Sequence, residues 1–200
     1  MADNDMMVPA NTFKAENFLP AELLNNWIRP LIAEMIGPFA LVLIGAGSIM
    51  TAYTEGFSDG GTLVMVALAH GLAIGLMIAA AGHISGGHYN PAVTIALCFG
   101  GKIGTIKAVA YILAQLVGAV VAALLLHYIF YDAIRDATNF GIPSVVYTVD
   151  APANHGLVVG RAHGFVLEVI LTFFLVYVIH GVAVDSRGAK PGCSPELLKG

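Results

Sequence analysis

At 200 residues, 58% of them apolar and 11% charged, with a mean hydropathy of +0.81, the chain is too poor in charge for a water-soluble domain, which carries roughly a quarter charged residues. Its composition is that of a membrane protein. Nine Lys and Arg against 13 Asp and Glu, a net charge of -4, leave no basic face for nucleic acid, and Cys98 and Cys193, far apart and without the C-x-x-C or His/Cys spacing of a zinc or redox site, read as ordinary small apolar residues.

Residues 1 to 30 carry four acids and no apolar run behind a basic start, so this segment reads as a cytoplasmic N-terminal stretch and not as a cleavable signal peptide. Crossing ~30 Å of hydrocarbon takes about 20 apolar residues in a helix. Four segments meet that length, at about 31 to 53, 62 to 82, 105 to 128 and 164 to 184. A fifth apolar stretch, Pro91 to Gly100, is half as long and flanked by turn residues, so it is expected to re-enter the membrane and not to cross it. The loop from about 129 to 163 is polar, and its Asp132, Arg135, Asp136 and Asp150 read as a solvated outer surface. With the N-terminus inside, Lys14, Arg29, Lys102, Lys107, Arg187, Lys190 and Lys199 lie on the cytoplasmic side, against only Arg135 and Arg161 outside. That asymmetry favours an N-terminus in the cytoplasm.

The first and fourth spans share a pattern. EMIGPFALV at 34 to 42 and EVILTFFLV at 168 to 176 agree at Glu, Ile, Phe, Leu and Val with a constant offset of 134. A carboxylate inside a span costs about 2.5 to 3.5 kcal/mol on insertion scales, so Glu34 and Glu168 make the shared pattern a candidate repeat. Three spans separate the two starts, which makes the repeat inverted. Under that reading residues 31 to 128 form a first repeat, complete with its half-helix, and residues 164 to 200 begin a second. The second counterpart of residue 90 would fall near 224, so the chain reads as truncated in its second repeat.

The chemically informative stretch is GHISGGHYNPAVTIAL, Gly82 to Leu97. Asn is a strong N-cap and Pro is favoured at the first helical position, so Asn90-Pro91 predicts a helix start. If the Asn90 side-chain oxygen caps the first turn, its amide NH2 points forward as a fixed pair of donors suited to a water oxygen. The half-helix behind it presents the positive end of its dipole, which repels protons and cations. Ser85 to Tyr89 cannot all be helical, and non-helical backbone at membrane depth is tolerated only beside water or inside protein. Its carbonyls become acceptors, and its inward N–H groups need buried partners, for which Glu34 is the natural candidate.

SGGHYNPAVT, followed by YILAQLVGA from Tyr111 and preceded by AEMIGPF, resembles the major intrinsic protein family of aquaporins and aquaglyceroporins over residues 31 to 200. The resemblance implies an all-α membrane protein with an aquaporin-like inverted repeat, acting as a passive channel for water and small neutral solutes. It further implies that Asn90, Pro91 and Ala92 form the first of two Asn-Pro-Ala boxes and that the carbonyls of Gly86, Gly87 and His88 line the conduit. Glu34 and Glu168 take the place of the buried loop anchors. His70 takes the second-span position of the outer selectivity constriction, where glycerol-conducting members usually carry Trp. Homotetramers in a lipid bilayer are implied, and no cofactor, metal or nucleic-acid partner is expected. The second box, the arginine after it and the last two spans are absent from these 200 residues, so the chain alone is expected not to conduct.

Other features have simpler readings. Gly71 and Gly75 form a G-x-x-x-G pair suited to helix contact, and Gln115 reads as an interhelical hydrogen bonder. LVLIGAGS at 41 to 48 imitates a dinucleotide-binding turn, but Met50 fills the place of the third glycine. The alternatives to a water channel are a formate/nitrite-type solute channel and a non-conducting subunit that binds full-length partners. No nucleophile and base pair, metal cluster or phosphate loop supports an enzyme.

Overall fold

The structure, a computed structural model, describes residues 20–57, 60–143 and 161–184. Among these residues the chain is all-helical apart from its connections. Four helices are long and apolar enough to cross a membrane. The first begins after Pro20, passes through a wider π-helical turn at Leu24–Ile28, and continues as α1, Arg29–Thr54. Then come α2, Gly60–Ser85; a short α3, Pro91–Phe99; α4, Thr105–Ile129; a one-turn α5, Asp132–Ala137; and α6, Arg161–Ile179. Nine residues make α3 about 14 Å long, under half of the ~30 Å a span requires.

Helix α1 lies between α2 and α4, and α3 packs against α4. In lipid no hydrophobic force draws apolar helices together, so close packing rests on small residues and polar contacts. The α1–α4 crossing shows the first: a Cβ at Gly118 would lie 2.0 Å from the Met35 carbonyl oxygen, so the two backbones touch there. The sequence that imitates a nucleotide turn is part of the same device. Gly45 and Gly47 are buried in the middle of α1, facing His70 of α2 and Leu126 of α4. Pro38, also inside α1, withholds the N–H that the Glu34 carbonyl would otherwise accept.

The outward faces are apolar and exposed, with Leu63, Leu68, Leu72 and Leu76 on α2 and Ile106, Leu113 and Leu124 on α4. That is the surface a bilayer covers. No residue of α6 is buried; the helix meets α3, and His180, in the π-helical turn that follows it, lies near Gly100. Gly71 and Gly75 also sit in open space, so the G-x-x-x-G pair makes no helix contact among the described residues. Its spacing identifies a smooth face, not the helix that fills it.

The polar loop after α4 differs from its expected form. Asp132 and Asp136 are exposed, but Arg135 is buried at 8% exposure. A charged side chain in a polar segment reads as solvated. Here the C-terminal carbonyls of α4 and the Asp132 carboxylate supply the partners that make burial tolerable. Lys14, Asp150, Arg187, Lys190, Cys193 and Lys199 lie outside the described residues.

Candidate functional site

The site is built on the non-helical link between α2 and α3. Helix α2 ends at Ser85, and Gly86 and Gly87 take φ of 98° and 64°, a turn only glycine makes without strain. Gly87 also passes so close to α2 that a Cβ would lie 3.1 Å from the Gly82 Cα. Tyr89 takes φ of 47°, an outlier for a bulky residue that persists only where the surroundings hold it. Its N–H donates to Glu34, its hydroxyl donates to the Met77 carbonyl at 3.2 Å, and its ring fills the slot left by Gly37.

Glu34, fully buried on α1, organises this link. Its Oε1 accepts from the Ser85 hydroxyl at 2.5 Å and the His88 N–H at 3.0 Å. Its Oε2 accepts from the Tyr89 N–H at 2.8 Å and from Gln115 Nε2 at 2.7 Å. Four donors thus converge on one carboxylate, two of them backbone groups that no helix or sheet satisfies. A buried carboxylate is tolerable when so surrounded, and the loop N–H groups gain the acceptor they require.

A second layer ties the link to α4. Gln115 Nε2 also donates to Thr94 Oγ1 at 2.9 Å, the Tyr111 hydroxyl donates to the Ser85 carbonyl at 2.9 Å, and the His88 ring meets the Tyr111 ring edge-on. His88 Nδ1 lies 3.2 Å from Thr94 Oγ1. Three helices therefore hold five residues of irregular chain. Sequence reading assigned Gln115 to interhelical bonding without placing it on Glu34, and it did not single out Ser85, Thr94 or Tyr111. Their signal was weak because hydroxyl residues are common in membrane helices and only the fold brings these together.

At the end of the link Asn90 is extended, at φ -152° and ψ 128°, and its Oδ1 accepts the Ala92 N–H at 2.8 Å, with Pro91 at the first helical position. The Asn90 amide NH2 makes no hydrogen bond among the described residues. It remains a fixed donor pair at the positive end of α3.

His70, on α2, is half-buried with its ring against Gly45, where a Cβ would lie 2.5 Å from Nε2. Its Nδ1 lies 2.8 Å from the Val66 carbonyl, which can only accept, so Nδ1 carries a proton, and in the neutral ring Nε2 is then an acceptor. Glu168 is not brought to this site. It is exposed on α6, and among the described residues nothing bonds to it.

A bundle of long apolar helices holding a capped half-length helix at the end of a carboxylate-anchored loop defines an integral, multi-pass membrane protein. A model of the family described as Major intrinsic protein matches residues 23–198, and the chain belongs to that family. It is 41% identical over 181 residues to "Probable aquaporin TIP3-2" of Arabidopsis thaliana, covering 86% of this chain and 62% of the relative. It is 39% identical over 170 residues to "Aquaporin Z" of Photorhabdus laumondii, covering 84% and 70%. Against "Aquaporin TIP4-4" of Zea mays it is 37% identical over 174 residues, covering 86% and 64%. The chain thus spans less than two thirds of the length of the Arabidopsis and maize relatives.

Proposed function

We propose that the protein is a passive transmembrane conduit for water, admitting small neutral solutes, in which Asn90 supplies the fixed donors that orient a passing water. The observation that carries this reading is the Glu34 cluster, which spends a buried carboxylate on holding one loop so that Asn90 caps α3 with its amide NH2 unpartnered. A water oxygen that accepts from that amide turns its hydrogens away from the positive end of α3. A cation meets that same positive end and is repelled. The loop carbonyls of Gly86, Gly87 and His88 provide successive acceptors, and His70 Nε2 provides another nearer the outer end of α2.

The N-terminus lies in the cytoplasm, the orientation that the lysine and arginine asymmetry favours. Four copies assemble side by side in the bilayer, and the exposed apolar faces of α2 and α6 supply the area for it. Glu168 occupies on α6 the position Glu34 occupies on α1, and it anchors the loop that a second repeat contributes. Residues 1 to 200 hold one Asn-Pro-Ala box, the described residues hold one half-helix, and by themselves residues 1 to 200 do not conduct.

Stopped-flow light scattering of proteoliposomes tests this. Protein from the complete reading frame should shrink vesicles under an osmotic step well above the lipid background, and residues 1 to 200 alone should not. A complete protein at the lipid background refutes the channel reading. Conduction by residues 1 to 200 alone, lost in Asn90→Asp, refutes the need for a second half.

A further inference from the structure

Tyr89 is the residue through which the anchored loop reaches Asn90, and its φ of 47° lies in the left-handed region that a bulky residue leaves unless it is held. Both ends of that torsion are held. On one side the Tyr89 N–H donates to Glu34 Oε2 at 2.8 Å, which fixes the peptide before it. On the other the side chain is fixed, with the residue only 2% exposed. A Cβ at Gly37 would lie 2.2 Å from the ring's Cγ and Cδ1, and one at Gly87 would lie 3.7 Å from its Cε2, so the ring fills space that two glycines leave. The hydroxyl then donates to the Met77 carbonyl of α2 at 3.2 Å. With the N–H and the Cβ both held, the bond that continues the chain from the Tyr89 Cα has one direction left, and it leads to Asn90.

Packing alone does not account for this side chain. Phe would fill the same space without burying a hydroxyl, which costs free energy unless it is bonded. Here the hydroxyl is spent on a carbonyl inside α2. Met77 follows His70 by two helical turns, about 10 Å along that helix. The bond therefore fixes the level of the loop on the helix that carries His70.

We propose that Tyr89 is a positioning residue for Asn90: its ring beside Gly37 and its hydroxyl on the Met77 carbonyl hold the strained backbone that aims the Asn90 amide. The consequence for permeation rests on the water-conduit reading; the aim of the amide does not. Without the ring and the hydroxyl, the chain relaxes at residue 89, the peptide between 89 and 90 turns, and the Asn90 amide turns with it.

Tyr89→Gly separates this role from a need for the backbone conformation alone, because glycine takes a φ of 47° without strain but has neither ring nor hydroxyl. The first measurement uses residues 1 to 200 with ¹⁵N-labelled asparagine in detergent micelles. It follows the Asn90 side-chain NH2 pair by NMR, assigned by its absence in Asn90→Asp. Tyr89→Gly should move that pair toward the position of a free amide. Tyr89→Phe keeps the ring and loses one hydrogen bond, so the turned conformer should gain about fivefold in relative population and the pair should move part of the way. A pair that stays in its wild-type position in both variants, even with a lowered melting temperature, overturns the proposal, since a residue that only fills space would behave in that way. Should Tyr89→Gly fail to fold, the pair in Tyr89→Phe decides alone, its wild-type position overturning the proposal.

The second measurement uses protein from the complete reading frame in proteoliposomes. Tyr89→Gly should lower osmotic water permeability at least about fivefold and steepen its temperature dependence. A loss of folded copies lowers permeability and leaves the temperature dependence as it was. A wild-type rate in Tyr89→Gly, or a lower rate with unchanged temperature dependence, refutes the positioning role. A wild type at the lipid background refutes the conduit reading instead, and the Asn90 resonances then decide the proposal by themselves.

Discussion

Replacing Glu34 by Ala removes one acceptor group and strands four donors, and their fates differ. Gln115 Nε2 keeps its bond to Thr94, and the Ser85 hydroxyl can rotate, but the N–H groups of His88 and Tyr89 are fixed by the backbone and have no other acceptor. An unsatisfied buried donor costs about 1–3 kcal/mol, so two of them weaken the closed loop by about 2–6 kcal/mol. Each 1.4 kcal/mol is a factor of ten in an equilibrium, so the amides at 88 and 89 should exchange with deuterium at least about 30-fold faster than in the wild type. The assay is hydrogen exchange in detergent micelles, read by mass spectrometry on peptides spanning residues 82 to 92, with the middle of α4 as an internal reference. Glu34→Gln should give a smaller effect. Its remaining carbonyl oxygen can accept from one half of the cluster, while its NH2 opposes donors in the other. Unchanged protection at 88 and 89 in Glu34→Ala, with α4 also unchanged, would refute the claim that this carboxylate holds the loop.

Gly118→Ala should destabilise the protein by several kcal/mol in thermal unfolding in detergent, because the added methyl meets the Met35 backbone, which cannot move without separating α1 from α4. Gly45→Ala places its methyl against the His70 ring and not against backbone, so it should leave the melting temperature within a few degrees while shifting the His70 ring resonances in NMR. Tyr89→Phe keeps the ring beside Gly37 and loses the bond to the Met77 carbonyl; amide exchange at 89 should rise about fivefold, the equivalent of one hydrogen bond of ~1 kcal/mol.

The parts of this architecture that were legible in the sequence are those set by local rules. Span length and hydropathy located the four long helices, because a bilayer imposes one length on all of them. Asn90-Pro91 located the start of α3, because a cap and a proline at adjacent positions fit few other conformations. Glu34 was conspicuous because a carboxylate is expensive at that depth and must have partners. What the sequence hid depends on tertiary meeting points. Arg135 reads as solvated until the α4 carbonyls at His127 and Phe130 are placed beside it. The G-x-x-x-G spacing of Gly71 and Gly75 gives a smooth face and says nothing about which helix occupies it. Gln115 was recognisable as polar glue, but its position at the junction of Glu34 and Thr94 follows only from the α1–α4 crossing at Gly118.

The central claim is that the loop held by Glu34 aims the Asn90 amide at passing water. Asn90→Asp tests it most directly, because Asp is an equally good N-cap and should preserve the bond to the Ala92 N–H and the start of α3. Only the forward donors are exchanged for acceptors bearing a negative charge. Osmotic water permeability should be measured in proteoliposomes made with protein from the complete reading frame. The account predicts a fall of about fivefold or more in Asn90→Asp, the loss of one hydrogen bond of ~1 kcal/mol from each passing water, at unchanged melting temperature. A folded Asn90→Asp protein that conducts water at the wild-type rate would contradict it.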